Sequence, residues 1–264
     1  MQNILVPIGI SNYAKSTLKY AIDIADSFES TIYIIDAHLP HSTLTSITNV
    51  NARFAKENIQ RIRNIIDQLV LKKSNIKIVE SETDLLGTIK KLDQTIGIDL
   101  IITAPLNKEI NDEIFLGPIA GSLIKRSDIP VLVAPIEKSF EPPKKMLLAF
   151  KTGEVNGNLT LKAMTEFQDK FKAMLKLLLV KVPRFAERNH HIDDVLMQRS
   201  ENLIYSENAT VYQGVLEHFQ ANQPDMLVVF KRERGFFESL WEPDLIYKKD
   251  FYCRVPLLII KNKD

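Results

Sequence analysis

A single cysteine, Cys253, stands among 264 residues, which excludes an internal disulfide. No apolar run approaches the roughly 18 residues that a membrane helix needs. The opening Met-Gln-Asn-Ile-Leu has neither the basic start nor the apolar stretch of a signal peptide. Charge of one sign is missing too: 34 basic against 33 acidic side chains leave a net +1, too little to build a nucleic-acid field. These absences lead us to expect a cytoplasmic protein with neither membrane nor nucleic acid as partner. Catalytic signatures are also lacking. There is no Gly-x-Gly-x-x-Gly, Gly-x-x-x-x-Gly-Lys-Ser/Thr, Gly-x-Ser-x-Gly or His-Glu-x-x-His. Nothing places a nucleophile beside a base, so no enzyme is expected.

What the chain does have is repetition. Residues 99–135 run Asp-Leu-Ile-Ile-Thr, a polar stretch, a helix-like stretch, then Ile-Pro-Val-Leu-Val-Ala. Residues 225–261 run Asp-Met-Leu-Val-Val, a polar stretch, a helix-like stretch, then Val-Pro-Leu-Leu-Ile-Ile. Asp99 to Pro130 is 31 positions, and so is Asp225 to Pro256. A fixed spacing between two buried-strand patterns, met twice, marks a tandem duplication. The repeated unit closes an α/β domain, the end at which such domains keep their ligands.

The openings match as well. Residues 4–8 and 146–150 are short apolar runs of the kind found in a parallel sheet covered on both faces. Ala14, Leu18, Ala21, Ile22 and Ala25 follow at helical spacing, with Ser11 as N-cap; Thr160, Ala163, Met164, Phe167 and Phe171 do the same in the second copy. Strands are expected at 31–35 and 175–182, then at 77–79 and 202–205. Helical stripes follow at Leu85, Ile89, Leu92 and Ile96, and at Val211, Val215 and Phe219. The openings are offset by 142 and the closings by 126, so the second copy is about 16 residues shorter in its middle. We place the loss in the second helix: 50–72 in the first copy, only 190–199 in the second. Alternating strands and helices imply parallel sheets. The linker is 137–145, with Pro142-Pro143. It divides the chain near residue 141 into domains 1–138 and 144–264. At 45% hydrophobic residues each can bury its own core. The last strands, 131–134 and 257–260, are apolar and are expected to meet as sheet edges.

These residues resemble the universal stress protein family. The likeness lies in Ile-Leu-Val-Pro-Ile before a Ser-containing turn and helix, and in Asp-Leu-Ile-Ile with a later Ile-Pro-Val-Leu-Val. It covers both copies, the first more clearly. It implies two tandem Rossmann-like (adenine nucleotide alpha hydrolase-like) α/β domains, each a five-stranded parallel sheet of order 3-2-1-4-5 with helices on both faces. It also implies a cytoplasmic stress-response role, pairing through the last strand and, in one branch, ATP at the strand ends. That branch carries Gly-x-x-Gly after the fourth strand, nine more residues, then Gly-Ser or Gly-Thr opening a helix. Its glycines let backbone approach phosphate, and the helix N-terminus supplies N–H donors. The His-x-Gly-His of related nucleotidyltransferases is missing.

Carried over to the first copy, the Gly-x-x-Gly positions fall on Ala104, Pro105, Leu106 and Asn107. Gly117 keeps the later glycine, Pro118 replaces the hydroxyl residue, and the acid ending the first strand falls on Gly9. In the second copy the positions are Phe230 and Glu233, then Pro243-Asp244, with Lys151 in place of the acid. Lys231, Arg232 and Arg234 could attract an anion, though a solvated basic loop is the simpler reading. Losing two or three charge-assisted hydrogen bonds at roughly 1.5–3 kcal/mol each weakens triphosphate binding by on the order of 10²-fold or more. ATP is therefore not expected in the family's manner. ATP or AMP stays as the alternative ligand of the first copy, at Gly9, Ala104, Asn107 and Gly117.

Asp36, His38 and His41 follow the second strand at a spacing that suits a metal, but no fourth ligand is identifiable, and an ordinary polar loop is the simpler reading. His190 and His191 point about 100° apart on a helix and read as a surface pair. Lys248, Lys249 and Arg254 would lower the Cys253 pKa; a half-buried structural thiol fits better. Phe236, Phe237, Leu240 and Trp241, clustered at helical spacing, suit core or interdomain packing more than an exposed partner patch. The expectation is a non-enzymatic regulatory binding module with no required cofactor and an unidentified protein partner. Its domains form an internal pair, and a homodimer stays open. The alternatives are a weak nucleotide binder or ATPase through the first copy, and a metabolite or metal sensor using the 36–41 loop.

Overall fold

Runs of Ile, Leu and Val that avoid water on both sides belong inside a covered sheet. In the computed structural model of the chain they form β1 (Asn3–Ile8), β2 (Thr31–Asp36), β3 (Asn75–Val79), β4 (Leu100–Thr103) and β6 (Val131–Val133), with a short β5 (Ile114–Leu116) between the last two. The helices between them are α1 (Ala14–Phe28), α2 (Thr48–Asp67), α3 (Leu85–Ile96) and α4 (Pro118–Arg126). The second half repeats the scheme with β7 (Lys145–Phe150), α5 (Lys162–Phe171), β8 (Met174–Lys181), α6 (Asp194–Arg199), β9 (Asn202–Glu207), α7 (Val211–Asn222), β10 (Met226–Lys231), β11 (Ile246–Tyr247) and β12 (Leu257–Lys261). The structure describes residues 1–9, 12–37, 48–69, 75–80, 84–106, 111, 113–136, 138–183, 191–231, 246–248 and 252–262, with backbone only at 48–55 and 158.

The strands join in one sheet of ten, ordered β3-β2-β1-β4-β6-β12-β10-β7-β8-β9. All neighbours are parallel except at the centre. There β12 runs antiparallel to β6, with Leu257 opposite Val133, Leu258 opposite Leu132 and Ile259 opposite Val131. The two five-stranded sheets expected from sequence are thus continuous. Alternate residues feed two cores that cross this seam. Ile4, Val6, Leu132, Leu148 and Leu258 pack beneath α1, α2, α5 and α6. Leu5, Val131, Val133, Leu147 and Leu257 pack beneath α3, α4 and α7. Each fully buried Leu or Ile contributes roughly 1.5–3 kcal/mol, so the seam is core rather than surface contact.

Aromatic rings tie the halves on the α1 side. Phe28 and Phe171, each the last residue of its helix, meet edge to face with centroids 5.5 Å apart. Phe140 of the linker touches Tyr20 at 5.5 Å and Phe171 at 5.7 Å.

Several expected boundaries move. Ser11 lies outside the described residues. Helix α1 starts at Ala14 behind Tyr13, which forms no side-chain cap; instead the Ser16 and Thr17 hydroxyls donate to the Tyr13 carbonyl. The second helix of the first half spans 48–67, not 50–72. Its counterpart shrinks to α6, because Ile192 and Asp193 are taken up by the loop after β7: Ile192 bridges Gly153, and Asp193 Oδ2 accepts from Val155 N at 2.5 Å. Thr160 sits in a 3₁₀ turn ahead of α5. His190 is outside the described residues, and His191 is exposed.

Candidate functional site

In an open α/β sheet the ligand crevice opens where neighbouring strands send their connections to opposite sides, at the strands' carboxyl ends. Here that point lies between β1 and β4 in one half, and between β7 and β10 in the other. The seam is antiparallel, so the two crevices face opposite ends of the molecule.

At the first crevice Gly9 follows β1, Ala104 and Pro105 follow β4, and Gly117 precedes α4. Asp36 ends β2 and is buried; Ala37 N donates to Ile8 O at 3.0 Å, carrying the strand pair to the crevice edge. Apolar side chains pack against both glycines, closely at Gly117. A Cβ on Gly117 would stand 2.6 Å from Leu106 Cδ1, so the leucine lies on its bare Cα. A Cβ on Gly9 would stand 3.4 Å from Ile119 Cδ1. Gly117 has φ −79° and ψ −179°, extended backbone open to any residue, so close approach rather than a special turn calls for glycine there. Pro118 takes the first helical position, where its missing N–H is tolerated. The leucine is fixed by Leu106 N donating to Phe115 O at 2.9 Å.

The segment between β4 and α4 has a further use. Its β5 pairs antiparallel with β11 of the second half, Ile246 opposite Leu116 and Tyr247 opposite Ile114. Lys248 N donates to Glu113 O at 2.7 Å, and the Phe115 and Tyr252 rings meet at 5.4 Å. This ribbon was not anticipated. Its signal in the sequence is the apolar triplet Ile114-Phe115-Leu116, too short to carry a period.

The second crevice is pinned from within. Phe230 is buried in β10, its ring 6.4 Å from that of Phe150. Asn262, only 1% exposed, holds the loop after β7: its Oδ1 accepts from Asn156 N at 3.0 Å and its Nδ2 donates to Glu154 O at 2.7 Å. The half-buried Lys151 belongs to the same loop. Lys231 and Lys261 reach across the seam to the Lys125 carbonyl and the Asp128 carboxylate. No sequence pattern marked Asn262 or Asp193.

Asn107, His38 and His41 lie outside the described residues, as do Arg232, Glu233, Arg234, Phe236, Phe237, Leu240, Trp241, Pro243 and Asp244. Among the described residues no three His, Cys, Asp or Glu side chains group to hold a metal, and no helix is long and apolar enough to cross a membrane. Cys253 departs from the lowered pKa that its basic neighbours suggested. Burial pushes its thiol up to about 12, because removal from water outweighs Lys138; the sulfur donates to Val255 O at 3.3 Å.

An open, mostly parallel sheet with helices on both faces and a crevice at each switch point defines the Rossmann-like α/β class. Within it the chain belongs to the universal stress protein family, whose model matches residues 1–135. The whole chain is similar in fold to a universal stress protein of Archaeoglobus fulgidus, at 14% identity and TM-score 0.66 over 98% of each chain. It is similar also to a Pseudomonas aeruginosa protein provisionally assigned to the family, at 16% identity and TM-score 0.59 over 99% of this chain and 94% of that one. A Pseudomonas aeruginosa protein of unknown function matches at 15% identity and TM-score 0.58, over 99% and 93%. No curated protein matches the chain. Family membership supports a role as a stress-response module.

Proposed function

We propose that the chain is a non-enzymatic regulatory module of the stress response, its second half a diverged copy of its first, and that neither crevice takes ATP in the family's manner. The observation that carries this reading is Leu106 lying on Gly117: a glycine that would admit phosphate admits a leucine instead. The β5–β11 ribbon supports it, since the segment that would wrap a triphosphate is bound to the other half. No cofactor is required, and signalling runs through a protein partner in the cytoplasm. Weak binding of a nucleotide in the first half is the alternative, resting on Gly117 and the N-terminal turn of α4.

Calorimetric titration of the full chain separates the two. We expect ATP no tighter than about millimolar, near −4 kcal/mol, with AMP equal to ATP. Micromolar ATP with AMP clearly weaker would mean that backbone donors still cradle the phosphates, and would overturn the proposal.

A further inference from the structure

Asp99 and Asp225 hold equivalent places but differ in one oxygen. In each, Oδ2 accepts two successive backbone N–H groups: Gln2 and Asn3 at 2.6 and 3.1 Å for Asp99, Lys144 and Lys145 at 2.9 and 2.9 Å for Asp225. Oδ1 of Asp99 also receives the ammonium of Lys162, from the other half's helix, at 2.5 Å. Helices α1 and α5 both end on left-handed residues, Glu29 at φ 57° and Lys172 at φ 52°. Aligned there, the counterpart of Lys162 is Lys19. That lysine is held on its own helix by Asp23 at 2.9 Å. No ammonium reaches Asp225 among the described residues.

Asp225 instead lines a cavity of about 500 Å³ where the linker crosses between the halves, a size that suits a small molecule. Tyr20 lines it too, with its hydroxyl shut away from solvent. Lys138 and Lys144 border the same space and balance Glu141 and Asp225, so the lining carries two charges of each sign. Pro135, Pro142, Pro224 and Pro256 form much of the wall; with φ fixed and no N–H to satisfy, they hold the space open in advance.

We propose that this cavity binds a small zwitterion the size of an amino acid. Its primary ammonium takes the place at Asp225 that Lys162 takes at Asp99, and its carboxylate faces Lys138 and Lys144. The site draws on both halves and the linker, and it lies apart from both crevices. Its occupancy therefore stabilises the docked pair whatever the crevices hold.

The test uses the full chain and four probes: the isomers L-norvaline and 5-aminovalerate, and their single-charge fragments n-butylamine and valerate. By calorimetry, at least one isomer should bind tenfold or more tightly than both fragments. Replacing both exposed lysines, Lys138→Met with Lys144→Met, should bring that isomer down to the level of n-butylamine. If neither isomer exceeds the fragments, or if the double lysine variant leaves affinity unchanged, the proposal is wrong.

Discussion

The two aspartates that begin the repeated segments each hold the first strand of their half by two N–H groups. Burial opposes ionisation of Asp99, but the Lys162 hydrogen bond and the two backbone N–H groups outweigh it, and its carboxyl titrates below the ordinary value. Lys162 moves the other way, raised chiefly by its hydrogen bond to Asp99. A depressed carboxyl adds stability that is complete above the unfolded pKa, about 3.9, and is lost as pH falls through the folded value. Lys162 is half-exposed, so the ion pair itself contributes at most about 1 kcal/mol. The bonds to the backbone carry more, about 1.5–3 kcal/mol. Asp99→Asn should therefore cost stability at pH 7 and progressively less below pH 4, measured by urea unfolding from pH 3 to 7. A gap that widened on acidification would contradict this account. Cys253 gives a second residue-scale prediction. Only 8% exposed, with its thiol pushed up to about 12, it should stay silent to a thiol reagent at pH 8 until the protein unfolds. Rapid modification of the native protein would place the sulfur in a different setting.

Between elements, close approach decides what the loops tolerate. A Cβ on Gly153 would stand 2.7 Å from the Cα of Ile192, which is backbone and cannot swing aside. Gly153→Ala should thus cost about 1–3 kcal/mol. Gly9→Ala, meeting only Ile119 Cδ1 at 3.4 Å, should stay within about 0.5 kcal/mol; melting curves of the two variants make the comparison. The same scale explains what the sequence made legible. The Asp-to-Pro spacing could be read because both ends do fixed local work. The aspartate clasps a strand, and the carbonyls of Pro130 and Pro256 accept from Ile101 N and Leu227 N at 2.9 and 2.9 Å, opening the ladder that closes each half. Strand and helix periods then placed most of the remaining elements. The β5–β11 ribbon was not legible, since strands of three and two residues have no period and their pairing joins distant parts of the chain. Nor was the shortness of α6, which follows from Ile192 and Asp193 bonding outside their own helix. At the candidate site the glycine positions could be found by spacing, but not the side chains that settle on them. Leu106 and Ile119 reach Gly117 and Gly9 only once β4 and α4 are placed.

At the scale of the molecule, the ten strands make one sheet because the last strand of each half finds the other, antiparallel, at the centre. The linker with Phe140 spans that junction. Inserting a protease site into 138–143 and cutting it should leave the halves paired at high concentration, with a melting temperature that now rises with concentration. The uncut chain should melt at one temperature across a hundredfold dilution. Identical behaviour before and after cutting would show that the seam alone holds the halves at every concentration tested. Covalent union also changes what heredity can do with the fold. In a pair of identical chains one substitution alters both ends of the assembly at once. In a single chain each end varies alone, so an ion pair could be kept beside Asp99 while the matching place beside Asp225 was opened into a cavity.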